Sequence, residues 1–308
     1  MYEYLISFLP QAIRLACPIL LAALGGVFAS RSGVLNISLE GSMLAGALAG
    51  VVGSYITGNP WAGLLLGIIV GMIWGLIFDF FALTLGAPQA VVGAGMNIFS
   101  TGITAYVFRA VFATTSNTVS VTGFNNIPIP LLSGIPFVGE VFFDHNALVY
   151  IAILIVPLMH LYFYHTISGL NFRSCGENSR TSDSVGIKVV KTRYIGTILS
   201  SVFAAVGGVA LSIGNVNTFV EGMSSGKGFI ALAALAFGRW SPVGVLFASL
   251  LFGLMDAFQL RLQVSITDAP YQYFQMLPYF LTILVLIWTS QKGSAGPRTG
   301  EYFEKESK

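Results

Sequence analysis

The sequence predicts an all-α fold, a polytopic transmembrane helical bundle of about nine membrane elements. Hydrophobic residues make up 55% of the 308 and charged residues only 9%, against roughly a quarter charged in soluble domains. The mean hydropathy is +0.79. Apolar stretches of about 20 residues, enough to cross a bilayer as a helix, recur along the whole chain between short polar turns, so 1–308 reads as a single transmembrane domain with no soluble catalytic module.

Those stretches fall near 5–29, 34–57, 60–85, 89–113, 147–165, 194–214, 243–262 and 274–290, and a further apolar run, 229–240, is too short to cross alone. The first stretch carries Arg14 within its apolar region, lacks a basic start and is long, so it reads as a span and not as a signal peptide. The loop 166–193 holds Arg173, Arg180, Lys188, Lys191 and Arg193, and the segment after Gln291 holds Lys292, Arg298, Lys305 and Lys308. Both are expected on the cytoplasmic side by the positive-inside rule. The segment 114–146 contains no Lys or Arg and is expected as an extracellular loop. Counting the short run gives nine passes, an N-terminus outside and a C-terminus in the cytoplasm. The net charge of +2 says little about partners, and Cys17 and Cys175 imply no disulfide framework.

Within the third span Gly63, Gly67, Gly71 and Gly75 recur every fourth residue, forming one smooth ridge that another helix can approach closely. The second span opens with GVLNISLEGSMLAGALAG, in which Asn36 and Glu40 interrupt an apolar, small-residue run. A carboxylate in such a setting is costly unless it faces a bundle interior or a polar pathway, which makes transport the first functional expectation. The pattern Asn36-Ile-Ser-Leu-Glu40-Gly41 recurs as Asn217-Thr-Phe-Val-Glu221-Gly222. In the expected topology the two copies start on opposite faces, consistent with the inverted repeats from which transporters are built. Chance similarity in a Gly- and Ala-rich chain is the competing account.

The second copy precedes the short helix near 229–240, which reaches only about 18 Å at 1.5 Å per residue. Two readings stay open: a re-entrant helix starting within the membrane, with its N-terminal amides free to hold polar groups of a solute, or an external loop before a tilted span. Asn97, after the interruptions at Pro88, Gly93 and Gly95, is a further candidate for lining a path, with an interhelical hydrogen bond as the equal alternative. Arg14, Asp79, Arg109, Asp256 and His160 are expected to serve structure, by pairing or by reaching an interface.

Several chemistries are excluded. Gly222-Met-Ser-Ser-Gly226-Lys227-Gly228 superficially resembles a phosphate loop, but it is one residue short and no Ser or Thr follows the lysine. There is no H-E-x-x-H and no Cys/His cluster. No metal, cofactor or nucleic acid is expected on this chain, and an ion-coupled carrier remains the alternative to an ATP-driven system.

Three motifs in order, GVLNISLEGSMLAGALAG, CGENSRTSDSVGIKVVKTRY and GMSSGKGFIALAALAFGRWSPVG, resemble the permease subunits of bacterial ABC importers for nucleosides and simple sugars. These belong to the ribose and branched-chain amino acid permease group, and the chain looks most like the shorter permease of nucleoside importers. The resemblance spans about 18–288. It implies a permease in the bacterial inner membrane, not an enzyme, paired with a second homologous permease. A cytoplasmic ATP-binding subunit, often a fused double ATPase, would bind the ATP and Mg, and an extracellular lipoprotein or periplasmic protein would deliver the solute. It also implies that 166–193 is the coupling loop, with the Gly-Glu-Asn motif at Gly176, Glu177 and Asn178; by its own composition the loop suits a short helix with turns at Gly176 and Gly186. Asn36, Glu40, Asn97, Asn217 and Glu221 are the residues expected along the solute path or its gates, with a structural helix-to-helix acceptor as the other reading of Glu40. Ser174-Cys175 and Thr181-Ser182 stand where small apolar residues are more usual in the family, and the residues do not separate nucleosides from sugars.

Overall fold

The computed structural model describes residues 2–112, 120–128, 138–265, 271–290, 296–300 and 303. Its helices are α1 (Tyr2–Arg31), α2 (Leu39–Thr57), α3 (Pro60–Asp79), α4 (Gln89–Phe112), α5 (Val138–Phe142), α6 (Ala147–His165), α7 (Ile167–Glu177), α8 (Ser179–Ser184), α9 (Val189–Leu211), α10 (Lys227–Phe237), α11 (Pro242–Ser265), α12 (Tyr271–Gln275) and α13 (Leu277–Ser290). Single wider turns, Phe80–Thr84 and Ser212–Val216, prolong α3 and α9. Strands β1 (Asn126–Pro128) and β2 (Asp144–Asn146) pair antiparallel, Ile127 opposite His145.

Local chemistry sets many boundaries. Asn59 caps α3 by accepting from the Trp61 amide at 2.9 Å, with Pro60 in the first turn. Asn146 caps α6 through the Val149 amide, and Thr166 caps α7 through that of Gly169. Helix α2 stops at Gly58, whose φ of 67° suits a residue without a Cβ.

Among the described residues seven helices are long and apolar enough to span a membrane: 8–31, 39–57, 60–84, 89–112, 147–165, 189–216 and 242–265. The count of nine is thus approximate. It is reached by adding two short apolar helices, α10 at 11 residues and α13 at 14. The sixth span also begins five residues earlier than its hydropathy suggests, because Val189 and Arg193 are buried in its first turns.

Helices α1, α2 and α9 form the centre, with 83% of the α1 span window buried and only 22% of that of α4. The glycine ridge of α3 lies against α9 inside the bundle. A Cβ on Gly75 would come 2.7 Å from the Ile198 Cα and one on Gly71 2.8 Å from the Val202 Cα. In lipid, where apolar burial between helices gains little, such close backbone approach is what drives packing.

Polar contacts gather at the two ends. At one end Arg31 donates through Nε to the Trp240 carbonyl at 2.9 Å, α7 and α8 fold beneath the bundle, and the Arg298 amide donates to the Gly176 carbonyl. The basic turns, the loop 166–193 and residues 296–300 therefore share one face. At the other end Arg14 donates to the Asp144 carbonyl at 3.2 Å and to His145 Nδ1 at 3.5 Å. Burial holds the His145 imidazole below its usual pKa, so Nδ1 stays an acceptor while Nε2 donates to the Val141 carbonyl.

Candidate functional site

Glu40 lies in the first turn of α2 and its carboxylate reaches the first turn of α10. Oε1 accepts from Ser224 Oγ at 2.6 Å and the Gly226 amide at 2.9 Å, and Oε2 accepts from the Gly228 amide at 2.6 Å. Gly226, with φ 82°, and Gly228 leave the backbone free to close on the acid, and a Cβ on Gly228 would land on the Glu40 backbone. The amides that the re-entrant reading left free for a solute are thus occupied by the protein's own carboxylate.

Asn36 and Asn97 hold the same region from either side. Asn36 is 3% exposed. Its amide donates to Ser200 Oγ at 3.1 Å and its oxygen accepts from the Ser38 amide and hydroxyl, tying the α1–α2 linker to α9. Asn97 on α4 accepts from the Gly41 amide at 2.8 Å and donates to the Ile37 carbonyl at 3.1 Å, and Ser100 donates to the Gly41 carbonyl. Glu40, Asn36 and Asn97 therefore converge on one junction.

The second motif copy lies elsewhere and in unlike surroundings. Asn217 is exposed in a left-handed conformation, φ 56°, at the end of the α9 extension, and its carbonyl accepts from the Val121 amide. Glu221 forms a two-pronged ion pair with Arg109 at 2.7 and 2.8 Å. The side chains are 73% and 38% exposed for Arg109 and Glu221.

Asp256, expected to serve structure by pairing, finds its partner beside the Glu40 contact. Lys227, the first residue of α10, pairs with Asp256 of α11. Beside them Ser225, Gln259, Gln275 and Tyr279 line a cavity of about 190 Å³. A lysine leading an 11-residue apolar helix, with an aspartate in the next span, was the available signal. It was masked by the resemblance to a phosphate loop.

In the loop 166–193 the expected turn at Gly176 is instead helix. Gly176 is buried in the last turn of α7, where a Cβ would lie 2.5 Å from the Arg31 carbonyl oxygen. The break comes at Asn178, whose side chain accepts from the Thr181 amide and starts α8, while Glu177 is exposed. Gly186 does make a turn, at φ 88°.

Over residues 9–286 the chain matches the family described as branched-chain amino acid transport system, permease component. It belongs to that family. This permease is 36% identical over 295 residues to the guanosine ABC transporter permease protein NupQ of Bacillus subtilis, with 92% of each chain covered. It is 33% identical over 279 residues to the nucleoside ABC transporter permease protein NupC of Lactococcus lactis subsp. cremoris, with 87% of each covered. An ABC transporter solved in an inward-facing conformation shares its fold, with a TM-score of 0.54 at 12% identity over 91% of this chain and 85% of that one. The permease is thus a multi-pass membrane protein and a transport component.

Proposed function

We propose that this permease imports nucleosides as one half of a paired membrane domain, with its solute path running along the open face of α4. That face carries the reading. Gly95, Gly102 and Arg109 are spaced by seven residues and so share one side of the helix. A Cβ on Gly95 or Gly102 would meet nothing within 4 Å, and the Arg109 ion pair with Glu221 is exposed on the same side. Lipid is a poor neighbour for an ion pair. A second permease facing a hydrated path fits both the pair and the bare glycines. Similarity to guanosine and nucleoside permeases supports nucleosides as the cargo.

Energy enters from a cytoplasmic ATP-binding partner that holds ATP and Mg, with α7 and α8 as its docking surface and the N-terminus of this chain on the outer side. A lipoprotein or periplasmic binding protein would deliver solute there. The contacts supply a continuous mechanical route. Pressure on α7 meets Arg31 through Gly176, Arg31 holds the Trp240 carbonyl at the end of α10, and the start of α10 is fixed to α2 by Glu40. Asn97 then couples α2 to α4. A shift of the coupling helices would in this way reach the face along the path, which is the geometry alternating access needs.

The test is uptake of labelled guanosine, uridine and ribose by cells with and without this gene, repeated with the ATPase partner inactivated. Nucleoside uptake that requires both is expected. Uptake that survives loss of the ATPase and collapses with an ionophore would replace the importer reading with an ion-coupled carrier.

A further inference from the structure

We propose that the cavity between α10, α11 and α13 is a binding site within the membrane for a neutral, hydroxyl-rich ring such as the ribosyl group of a nucleoside. It rests on the importer reading and adds a second solute contact on this chain besides the open face of α4. Lys227 stands about 15 Å along α10 from its far end, and Asp256 about 21 Å along α11 from Pro242. Both distances fall short of the thickness of a hydrocarbon core, about 30 Å, and the charged and amide groups that line a cavity of about 190 Å³ there need polar partners.

The lining sets the chemistry. Lys227 and Asp256, the charged residues of its lining, neutralise one another, with side chains 17% and 9% exposed, and the nearby Glu40 carboxylate is held by Ser224 and two amides, so an anionic solute finds no free cation in the lining. Only one ammonium proton of Lys227 is drawn toward Asp256 Oδ2, which leaves further donors on the lysine and lone pairs on the carboxylate. Gln259 and Gln275 each bring an amide donor and acceptor, and Tyr279 is fixed by donating to the Ser225 carbonyl at 3.0 Å. Vicinal hydroxyls both donate and accept, as this set requires. Ile230, Pro278 and the ring of Tyr279 supply the apolar part of the lining, which suits a ring whose edge carries the hydroxyls.

The N-terminal amides of α10 take no part, since Glu40 holds them. Recognition therefore belongs to side chains from three helices, and it will change whenever α10 moves against α11.

The experiment uses the whole importer, with its ATPase and binding protein, in proteoliposomes. Gln259→Cys is labelled with a small methanethiosulfonate while guanosine, ribose or leucine is present, and Leu65→Cys, on the open face of α3, serves as control. Guanosine or ribose is expected to slow labelling of Gln259→Cys several-fold without affecting Leu65→Cys. Gln259→Phe, which fills the cavity and leaves the ion pair intact, should raise the half-saturating guanosine concentration about tenfold with little change in maximal rate, the scale of one or two lost hydrogen bonds. Failure of wild type to import nucleosides sinks the importer reading, and the labelling arm still decides the site. Equal labelling with and without guanosine and ribose, or protection by leucine alone, overturns the site even where import is intact.

Discussion

Glu40 Oε2 lies 2.6 Å from the Gly228 amide nitrogen, so one carboxylate in the first turn of α2 also closes the first turn of α10. Each helix start carries unpaired N–H groups and a partial positive charge. Bringing two such ends together inside a membrane would be unfavourable without an anion between them. Glu40 supplies it and satisfies Ser224, Gly226 and Gly228 together.

Glu40→Gln should therefore damage the junction although it keeps the shape of the side chain. The amide has one acceptor oxygen where the carboxylate has two, so its NH2 group must face a donor. Loss of one charge-assisted hydrogen bond costs about 2 kcal/mol. The purified complex should unfold at a lower temperature, with faster proteolysis near 222–228 and reduced uptake. Unchanged unfolding with abolished uptake would point instead to direct solute contact by the charge.

Gly228→Ala tests the same contact from the other side. Its Cβ would overlap the Glu40 backbone, which cannot move without displacing α2. Overpacking of this kind typically costs about 1–3 kcal/mol, so membrane yield should fall. Gly102→Ala meets nothing within 4 Å and should leave the yield of the isolated chain unchanged. If it blocks transport, the open face of α4 is in use.

Much of the bundle was legible because hydrophobic length and Gly periodicity are local properties. The every-fourth-residue glycines of α3 do pack on a neighbour, and the pairing of Arg14, Arg109 and Asp256 followed from the cost of charge in lipid. The target of Glu40 was not legible, since its partners lie some 184 to 188 positions away and two of them are main-chain amides with no side-chain signature. The two Asn-to-Glu motif copies looked equivalent in sequence, yet Asn36 is buried and Asn217 is exposed. What separates them is the π turn at Ser212–Val216, which hydropathy does not register.

The Arg109–Glu221 pair predicts a pH signature. Arg109 holds the Glu221 carboxyl below the usual carboxylate range. A depressed carboxylate contributes its stabilisation above its ordinary value of about 4.3 and loses it as pH falls through the lower folded value. The difference in unfolding temperature between wild type and Glu221→Gln should thus be flat from about pH 8 to pH 5 and vanish only in stronger acid. Because the pair is exposed, the difference should also shrink as salt rises. A difference that disappears near neutral pH would contradict the pairing.

Cys175 gives a prediction about the coupling loop. Burial pushes its thiol above the usual pKa, with Thr192 and Arg193 acting in the opposite direction. Thiolate is the reactive form, so Cys175 should resist maleimide at neutral pH while α7 stays seated. Asn178→Ala removes the cap on α8, at a cost of about 1 kcal/mol, and should loosen the loop without unfolding the bundle. Labelling of Cys175 should then rise, and ATP hydrolysis by the assembled importer should continue while nucleoside uptake falls, because force applied at α8 no longer reaches Arg31 through Gly176. Equal loss of hydrolysis and uptake would mean that Asn178 serves assembly with the ATPase and not transmission.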